Sequence, residues 1–315
     1  MKFSAETVKT RAREAGFSAC GIAPAEKVAP WRVAQVRKWL DDGCNGTMSY
    51  LSRHFEMRAD PDLLVPGVKS IICVALNYFP ASSPQEPTYH FARYAYGQDY
   101  HEVVRSKLRQ LQELLGLTGR AFCDTAPVDE RYWAWRSGLG WLGRNTQLIV
   151  PHAGSYFFLG ELMVMEESDE YDGPMSSRCG TCRACIDACP VRALSADDGL
   201  DARRCLSYLT IESREELPAE AARQMGHCVY GCDRCAEACP WNCFAQPTHE
   251  SALQPREAFL RMTVADWQQL TREKYQQLFK GSAVKRVKYE GLVRNIRAVA
   301  EVDQQKDNLS SPEET

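Results

Sequence analysis

The sequence predicts an α+β chain, and three observations carry that reading. The apolar, β-branched run Lys69-Ser-Ile-Ile-Cys-Val-Ala-Leu-Asn-Tyr78 is bounded by Pro66-Gly67 and Pro80, as a buried strand should be. Nine of the 14 cysteines crowd between Cys179 and Cys239. Beyond Pro255 the apolar residues fall at helical spacing: Phe259 and Leu260, Trp267, Leu270, Leu278, then Val284, Val287, Leu292, Val293 and Ile296. With 315 residues, 44% of them hydrophobic, the chain can bury one large core or two modest ones.

Taken in order, residues 1–170 read as a mixed α/β domain. The opening MKFSAETVKTRAREAG alternates charged with apolar residues, and no apolar stretch of about 18 residues occurs. We therefore expect a soluble, cytoplasmic chain with no membrane span. Val103, Val104, Leu108, Leu111, Leu114 and Leu115 have helical spacing and stop at Gly116. A second β-like run, Tyr156 to Met165, follows His152-Ala-Gly-Ser155, and Asp169 to Pro174 reads as a linker. Residues 171–250 form the cysteine-rich region and 251–303 a helical segment. The polar end, 304–315, is expected to be a disordered tail.

The cysteine spacing carries the chemistry. Cys179-x2-Cys182-x2-Cys185-x3-Cys189-Pro190 matches the run of bacterial ferredoxins, where three thiolates hold one [4Fe-4S] cubane and the fourth reaches across to another. Cys232-x2-Cys235-x3-Cys239-Pro240 repeats the ending. Structural zinc suits paired Cys-x2-Cys units but explains neither the third cysteine of each run nor the Cys-Pro ending. The region is thus a ferredoxin-like domain with two [4Fe-4S] clusters. Eight thiolates are needed and nine are present, so Cys205 and Cys228 compete for the last place; spacing alone favours Cys228.

Two further patterns point elsewhere and are set aside. Cys228-x3-Cys232-x2-Cys235 spells a radical-SAM triplet, but only a mostly helical remainder follows Cys239, too short for a βα barrel. Gly138-Leu-Gly-Trp-Leu-Gly143 fits a dinucleotide fingerprint, yet it follows a helical Tyr132-Trp-Ala-Trp-Arg136 and precedes a strand, the reverse of strand, turn, helix. It reads as a packing turn. Cys20, Cys44, Cys73, Cys123 and Cys243 read as small apolar residues.

Net charge is −3, which argues against a globally basic nucleic-acid binder. Charge is unevenly spread, however. Arg272 to Arg297 holds eight Lys/Arg against Glu273 and Glu290, leaving the rest of the chain acidic.

Asp124-Thr-Ala-Pro127, Gly138-Leu-Gly-Trp-Leu-Gly-Arg-Asn145, Gly154-Ser-Tyr-Phe-Phe-Leu-Gly-Glu161, Cys205-Leu-Ser-Tyr-Leu-Thr-Ile-Glu212 and Gly231-Cys-Asp-Arg-Cys235 with Cys239-Pro-Trp-Asn242 occur in that order. Together they resemble epoxyqueuosine reductase, from the N-terminus to about residue 300. The resemblance implies a cobalamin-dependent iron-sulfur enzyme that removes the epoxide oxygen of epoxyqueuosine at the tRNA wobble position. It implies a corrinoid-binding N-terminal domain like that of reductive dehalogenases, a tRNA substrate and a low-potential electron donor, and we expect a monomer. Composition and spacing do not show cobalamin, and no Asp-x-His-x-x-Gly corrinoid motif is present. Longer members continue into HEAT-like repeats after segments like Gly281 to Arg286 and Gly291 to Asn295.

The resemblance also assigns residues. It favours Cys205 over Cys228 as the eighth ligand, beside Cys179, Cys182, Cys185, Cys189, Cys232, Cys235 and Cys239. It makes Asp124 the proton donor, and the apolar Ala121-Phe-Cys123 before it leads us to expect a raised pKa. Arg58, Tyr96, Ser207 and Tyr230 resemble corrinoid-lining positions. Trp133, Trp135 and Trp141 could wall a macrocycle or fill a core. Lys285, Arg286 and Lys288 are the candidate tRNA contacts. The histidines, including His101, have no metal-ligand spacing among themselves and read as structural. Competing readings are a ferredoxin-like electron carrier, which needs no large N-terminal domain, and a corrinoid reductive dehalogenase, which usually carries a secretion signal.

Overall fold

The computed structural model describes residues 2–197 and 199–310. The strands that position the site are β1 (Ala19–Pro24), β2 (Ser70–Asn77), β3 (His90–Phe91), β4 (Gly119–Phe122), β5 (Phe157–Val164) and β6 (Cys228–Tyr230). The helices are α1 (Ala5–Glu14), α2 (Tyr100–Leu115), α3 (Glu130–Arg136), α4 (Leu206–Ile211) and α5 (Lys288–Ser310).

β1, β2, β5 and β4 form one sheet in that order, antiparallel throughout. Side chains alternate across it. Ile72, Val74 and Leu76 meet α1 and α2 through Val8, Ala12, Val104, Leu108 and Leu111. Ile71, Cys73 and Ala75 face α3 through Trp133 and Ala134. Because helices cover both faces, β2 is apolar at every position from Ile71 to Leu76 instead of alternating. α2 is started by Asp99, whose carboxylate accepts from the His101 amide, and ends on left-handed Gly116. It lies close on the sheet because β5 has Gly160 there. A Cβ at that position would stand 2.7 Å from Val104 Cγ1.

A second core joins Tyr89 and Phe91, the cysteine-region residues Leu206, Leu209 and Val229, and the C-terminal Phe259, Trp267, Leu292 and Ile296. The helical segment expected at 251–303 therefore shares one core with the cysteine-rich region. β3 and β6 pair in parallel across the two halves. α5 runs through Ser310, so the tail expected from residue 304 is helical up to there; residues 311–315 lie outside the described ones. The segment read as a linker is pinned: Asp169 accepts from the Ala5 amide at 2.8 Å, and Asp172 accepts from the Ile22 amide at 2.8 Å and from Lys9 Nζ at 2.6 Å. Among the described residues no helix is long and apolar enough to cross a membrane.

Candidate active site

The two cysteine runs meet through short helices, Ala184–Asp187 and Arg234–Glu237, which pack on each other. The thiols fall into two groups. Cys239 has Cys179 and Cys182 as charge neighbours, and Cys185 has Cys239 and Cys179. Cys205 has Cys232 and Cys189, and Cys235 has Cys232, Cys205 and, more weakly, Cys185. Burial, then these neighbours, raise the thiols above their ordinary values, Cys235 to about 12. Sulfurs crowded this way are stabilised as thiolates once a cationic centre joins them. Trp141 is fully buried against Cys239 and Cys179, and its indole N–H has no partner. A buried donor without an acceptor is rare, and beside these thiols it suits cluster or thiolate sulfur. Cys228 lies buried in β6 with its thiol hydrogen-bonded to that of Cys232.

A cavity of about 980 Å³ opens between the two halves. That is at the upper end of ligand-site volumes, the room a large cofactor needs. Cys189, Cys205, Cys232 and Cys235 line the cavity; Cys228, Cys179, Cys182, Cys185 and Cys239 do not. Arg58, Ser207, Tyr230 and Arg286 are on its wall. Arg58 donates to the Val128 carbonyl at 2.7 Å, and the Tyr230 hydroxyl donates to the Ala283 carbonyl at 2.9 Å. Asn145 also lines it, and its buried side-chain N–H has no partner. That orphaned donor, the apolar Val128, Leu200 and Leu206, and the cationic Arg58 fit a corrinoid, whose amide side chains accept hydrogen bonds around an apolar ring face.

The same cavity is lined by Asp124, 53% of whose side chain is exposed. Its φ of 58° is left-handed, and its amide donates to the Glu130 carboxylate at the start of α3. Asp124 Oδ2 accepts from Tyr100 Oη at 2.5 Å and from His101 Nε2 at 3.0 Å. His101 Nδ1 contacts Asp99 at 2.6 Å. Burial pushes the Asp124 carboxyl up, but the hydrogen bonds from His101 and Tyr100 outweigh it and hold the group below its ordinary value. The expected rise is thus reversed. Burial disfavours the His101 imidazolium, yet hydrogen bonds to Asp124 and Asp99 carry its pKa up to about 9. The raised carboxyls are neighbours instead: burial and the Asp124 charge take Glu130 to about 8, and burial pushes Glu161 well above its ordinary value.

Several expected site residues sit elsewhere. Tyr96 packs against Phe259 in the second core; Tyr94, two residues earlier, is the one on the cavity wall. Trp133 and Trp141 are core, and Trp135 donates to the Met175 carbonyl at 2.9 Å; none lines the cavity. Lys285 lies over the Tyr275 ring and Lys288 begins α5, both off the cavity. Arg286 holds Glu212 through two hydrogen bonds of 2.9 and 2.7 Å. His101 and Tyr100 escaped the sequence reading because their role depends on contact with Asp124 across more than twenty residues. The local signal was Asp99-Tyr-His101 at a helix start.

A family model described as 4Fe-4S double cluster binding domain matches residues 178–242, and one described as Epoxyqueuosine reductase QueG, DUF1730, matches residues 58–125. The epoxyqueuosine reductase of Cellulophaga algicola is 42% identical over 299 residues, spanning 92% of this chain and 96% of its own. A crystal structure of epoxyqueuosine reductase with an epoxyqueuosine-modified tRNA-Tyr stem loop matches with TM-score 0.86 at 26% identity, covering 96% of this chain and 82% of that one. A Bacillus subtilis epoxyqueuosine reductase, solved with its catalytic aspartate loop swung out of the active site, matches with TM-score 0.84 at 25% identity, covering 98% and 86%. Sequence identity sustained over nearly the full length of both chains, with a double-cluster domain where the cysteines gather, means that this chain belongs to the epoxyqueuosine reductase family.

Proposed function

We propose that this chain reduces epoxyqueuosine to queuosine at the wobble position of tRNA, with Asp124 as the proton donor at the leaving oxygen. One observation carries the reading: a single large cavity is lined both by Asp124 and by Cys189, Cys205, Cys232 and Cys235. A carrier that only passes electrons has no use for a carboxylate facing such a space with a cationic imidazole behind it to supply its proton. The solved relative bound to an epoxyqueuosine-modified stem loop supports the substrate.

Converting an epoxide to an alkene consumes two electrons and two protons and releases water. Two [4Fe-4S] clusters, on Cys179, Cys182, Cys185 and Cys239 and on Cys189, Cys205, Cys232 and Cys235, together with cobalamin in the cavity, supply the electrons when bound and reduced by a low-potential donor. Arg58, Asn145, Ser207 and Tyr230, which line the cavity, would hold the corrinoid. Asp124 presents its carboxylate to the epoxide oxygen. The proton it transfers is drawn from His101, which is cationic at neutral pH, and Tyr100 keeps the carboxylate oriented. Glu130 fixes the loop through the Asp124 amide.

The deciding experiment is anaerobic reconstitution with cobalamin and reductant, addition of epoxyqueuosine-containing tRNA and analysis of the digested nucleosides. Queuosine is the expected product. A preparation with full iron, sulfide and cobalamin that leaves epoxyqueuosine untouched overturns the reading.

A further inference from the structure

Away from the cavity, two segments distant in sequence, one holding Glu86 and His90 and the other His227, converge on one small surface site. Glu86 comes from the loop before β3, His90 from β3 itself, and His227 from the residue preceding β6. One ligand-type atom from each of the three lies within 4.8 Å of the other two. His90 Nε2 is already 2.5 Å from Glu86 Oε1, and the His90 and His227 rings meet edge to face with centroids 5.9 Å apart. From α5, Asp303 Oδ2 approaches His227 Nε2 at 3.4 Å. Lys306 Nζ is 3.7 Å from the other Asp303 oxygen.

We propose that Glu86, His90 and His227 form a binding site for a divalent transition-metal ion of the zinc type, with Asp303 supporting His227. Three atoms no more than 4.8 Å apart can surround an ion at no more than about 2.8 Å each, and zinc bonds to imidazole nitrogen and carboxylate oxygen measure about 2.0–2.2 Å. Side-chain rotations of under about 1 Å close that gap, and Glu86 and His90 are exposed, so nothing packed has to move. Two imidazoles and a carboxylate are borderline donors. They suit zinc and its neighbours in the first transition row, not calcium or magnesium, which want oxygen alone. Metal-bound histidines commonly donate their second ring nitrogen to a carboxylate, and Asp303 is the group in reach.

The consequence is structural. β3 and β6 are the parallel pair that joins the two halves of the molecule, and the site sits at its end, where Cys228 pairs with His90. An ion there ties the loop at Glu86, the β3–β6 pair and, through Asp303, the C-terminal half of α5. It would hold the strand that leads into Cys232.

The test uses the cluster-loaded, cobalamin-loaded protein. It is stripped with a mild chelator, incubated with zinc sulfate, desalted, and analysed for zinc and iron per chain. The wild type is expected to keep about one zinc more than the His90→Gln/His227→Gln double variant, with equal iron in both, and zinc should raise its melting temperature but not the variant's. Equal zinc in the two proteins, or none retained by either, overturns the site and leaves Glu86–His90 a simple hydrogen-bonded pair. Should the double variant lose iron, Glu86→Gln serves instead: its zinc affinity is expected to fall about tenfold or more, and an unchanged affinity overturns the proposal.

Discussion

Asp124 and His101 share the proton, and the structure says which of them holds it at neutral pH. His101 has a carboxylate on each ring nitrogen, so the imidazolium is the form both bonds favour, while Asp124 stays ionised. A histidine whose folded pKa is raised contributes its ion-pair stability in full below its unfolded value of about 6.5 and loses it as pH rises through about 9. Asp124, held low, loses its contribution only as pH falls through its depressed pKa. Two expectations follow from this pairing. Asp124→Asn should keep iron, sulfide and cobalamin while lowering turnover by about 10²-fold, as loss of a general acid does; turnover within a few-fold of wild type would remove it from the mechanism. Turnover of the wild type should fall with pH near 9, and His101→Gln should lower the rate while abolishing that limb. A variant that keeps the limb assigns it to another group. Asp124 was singled out by the resemblance of Asp-Thr-Ala-Pro; the direction of its pKa shift was not readable, because burial raises a carboxyl pKa and only contact with α2 reverses the sign.

Among the elements, the cysteine runs and α5 behave oppositely. The runs are local: spacing within a few residues is what wraps a cubane, so their chemistry is legible in one dimension. Choosing between Cys205 and Cys228 is not local. Cys205 stands at the N-terminus of α4, lines the cavity and has Cys232 and Cys189 as neighbours, whereas Cys228, hydrogen-bonded to Cys232 from β6, does not line it. Iron and sulfide should therefore drop in Cys205→Ser and stay full in Cys228→Ser; the opposite pattern reverses the assignment. α5 owes its place to a polar anchor. Asn295, fully buried, donates at 2.8 Å to the carbonyls of Thr210 and Val229, and Arg294 donates to those of Leu209, Ser213 and Glu215. Asn295→Leu leaves two buried carbonyls without donors and should destabilise the protein by about 2–4 kcal/mol, read as a lowered melting temperature of the holoprotein. An unchanged melting temperature would mean the anchor is dispensable.

For the molecule as a whole, the basic stretch from Arg272 to Arg297 is less available than its charge suggests. Arg272 pairs with Glu290, Arg286 with Glu212, and Arg294 is spent on carbonyls. Counterion release counts only phosphates met by unpaired cations. Replacing Lys285, Arg286 and Lys288 with Gln should therefore flatten the salt dependence of tRNA binding by about two units, since Arg286 already has its carboxylate. Binding measured against salt checks this, and an unchanged slope and affinity would place the docking surface elsewhere.

The α+β class, the buried strand at 69–78, the helix ending at Gly116 and the two-cluster signature were all readable in the amino-acid order. Each depends on periodicity or spacing within a dozen residues, which the chain carries before it folds. The cavity, the His101–Asp124 pair, the removal of Tyr96 from the wall, and the shared core of the cysteine region and the C-terminal helices were not readable. These depend on which distant segments share a dry contact, and burial, pKa and hydrogen-bond partnership belong to that contact, not to the residue.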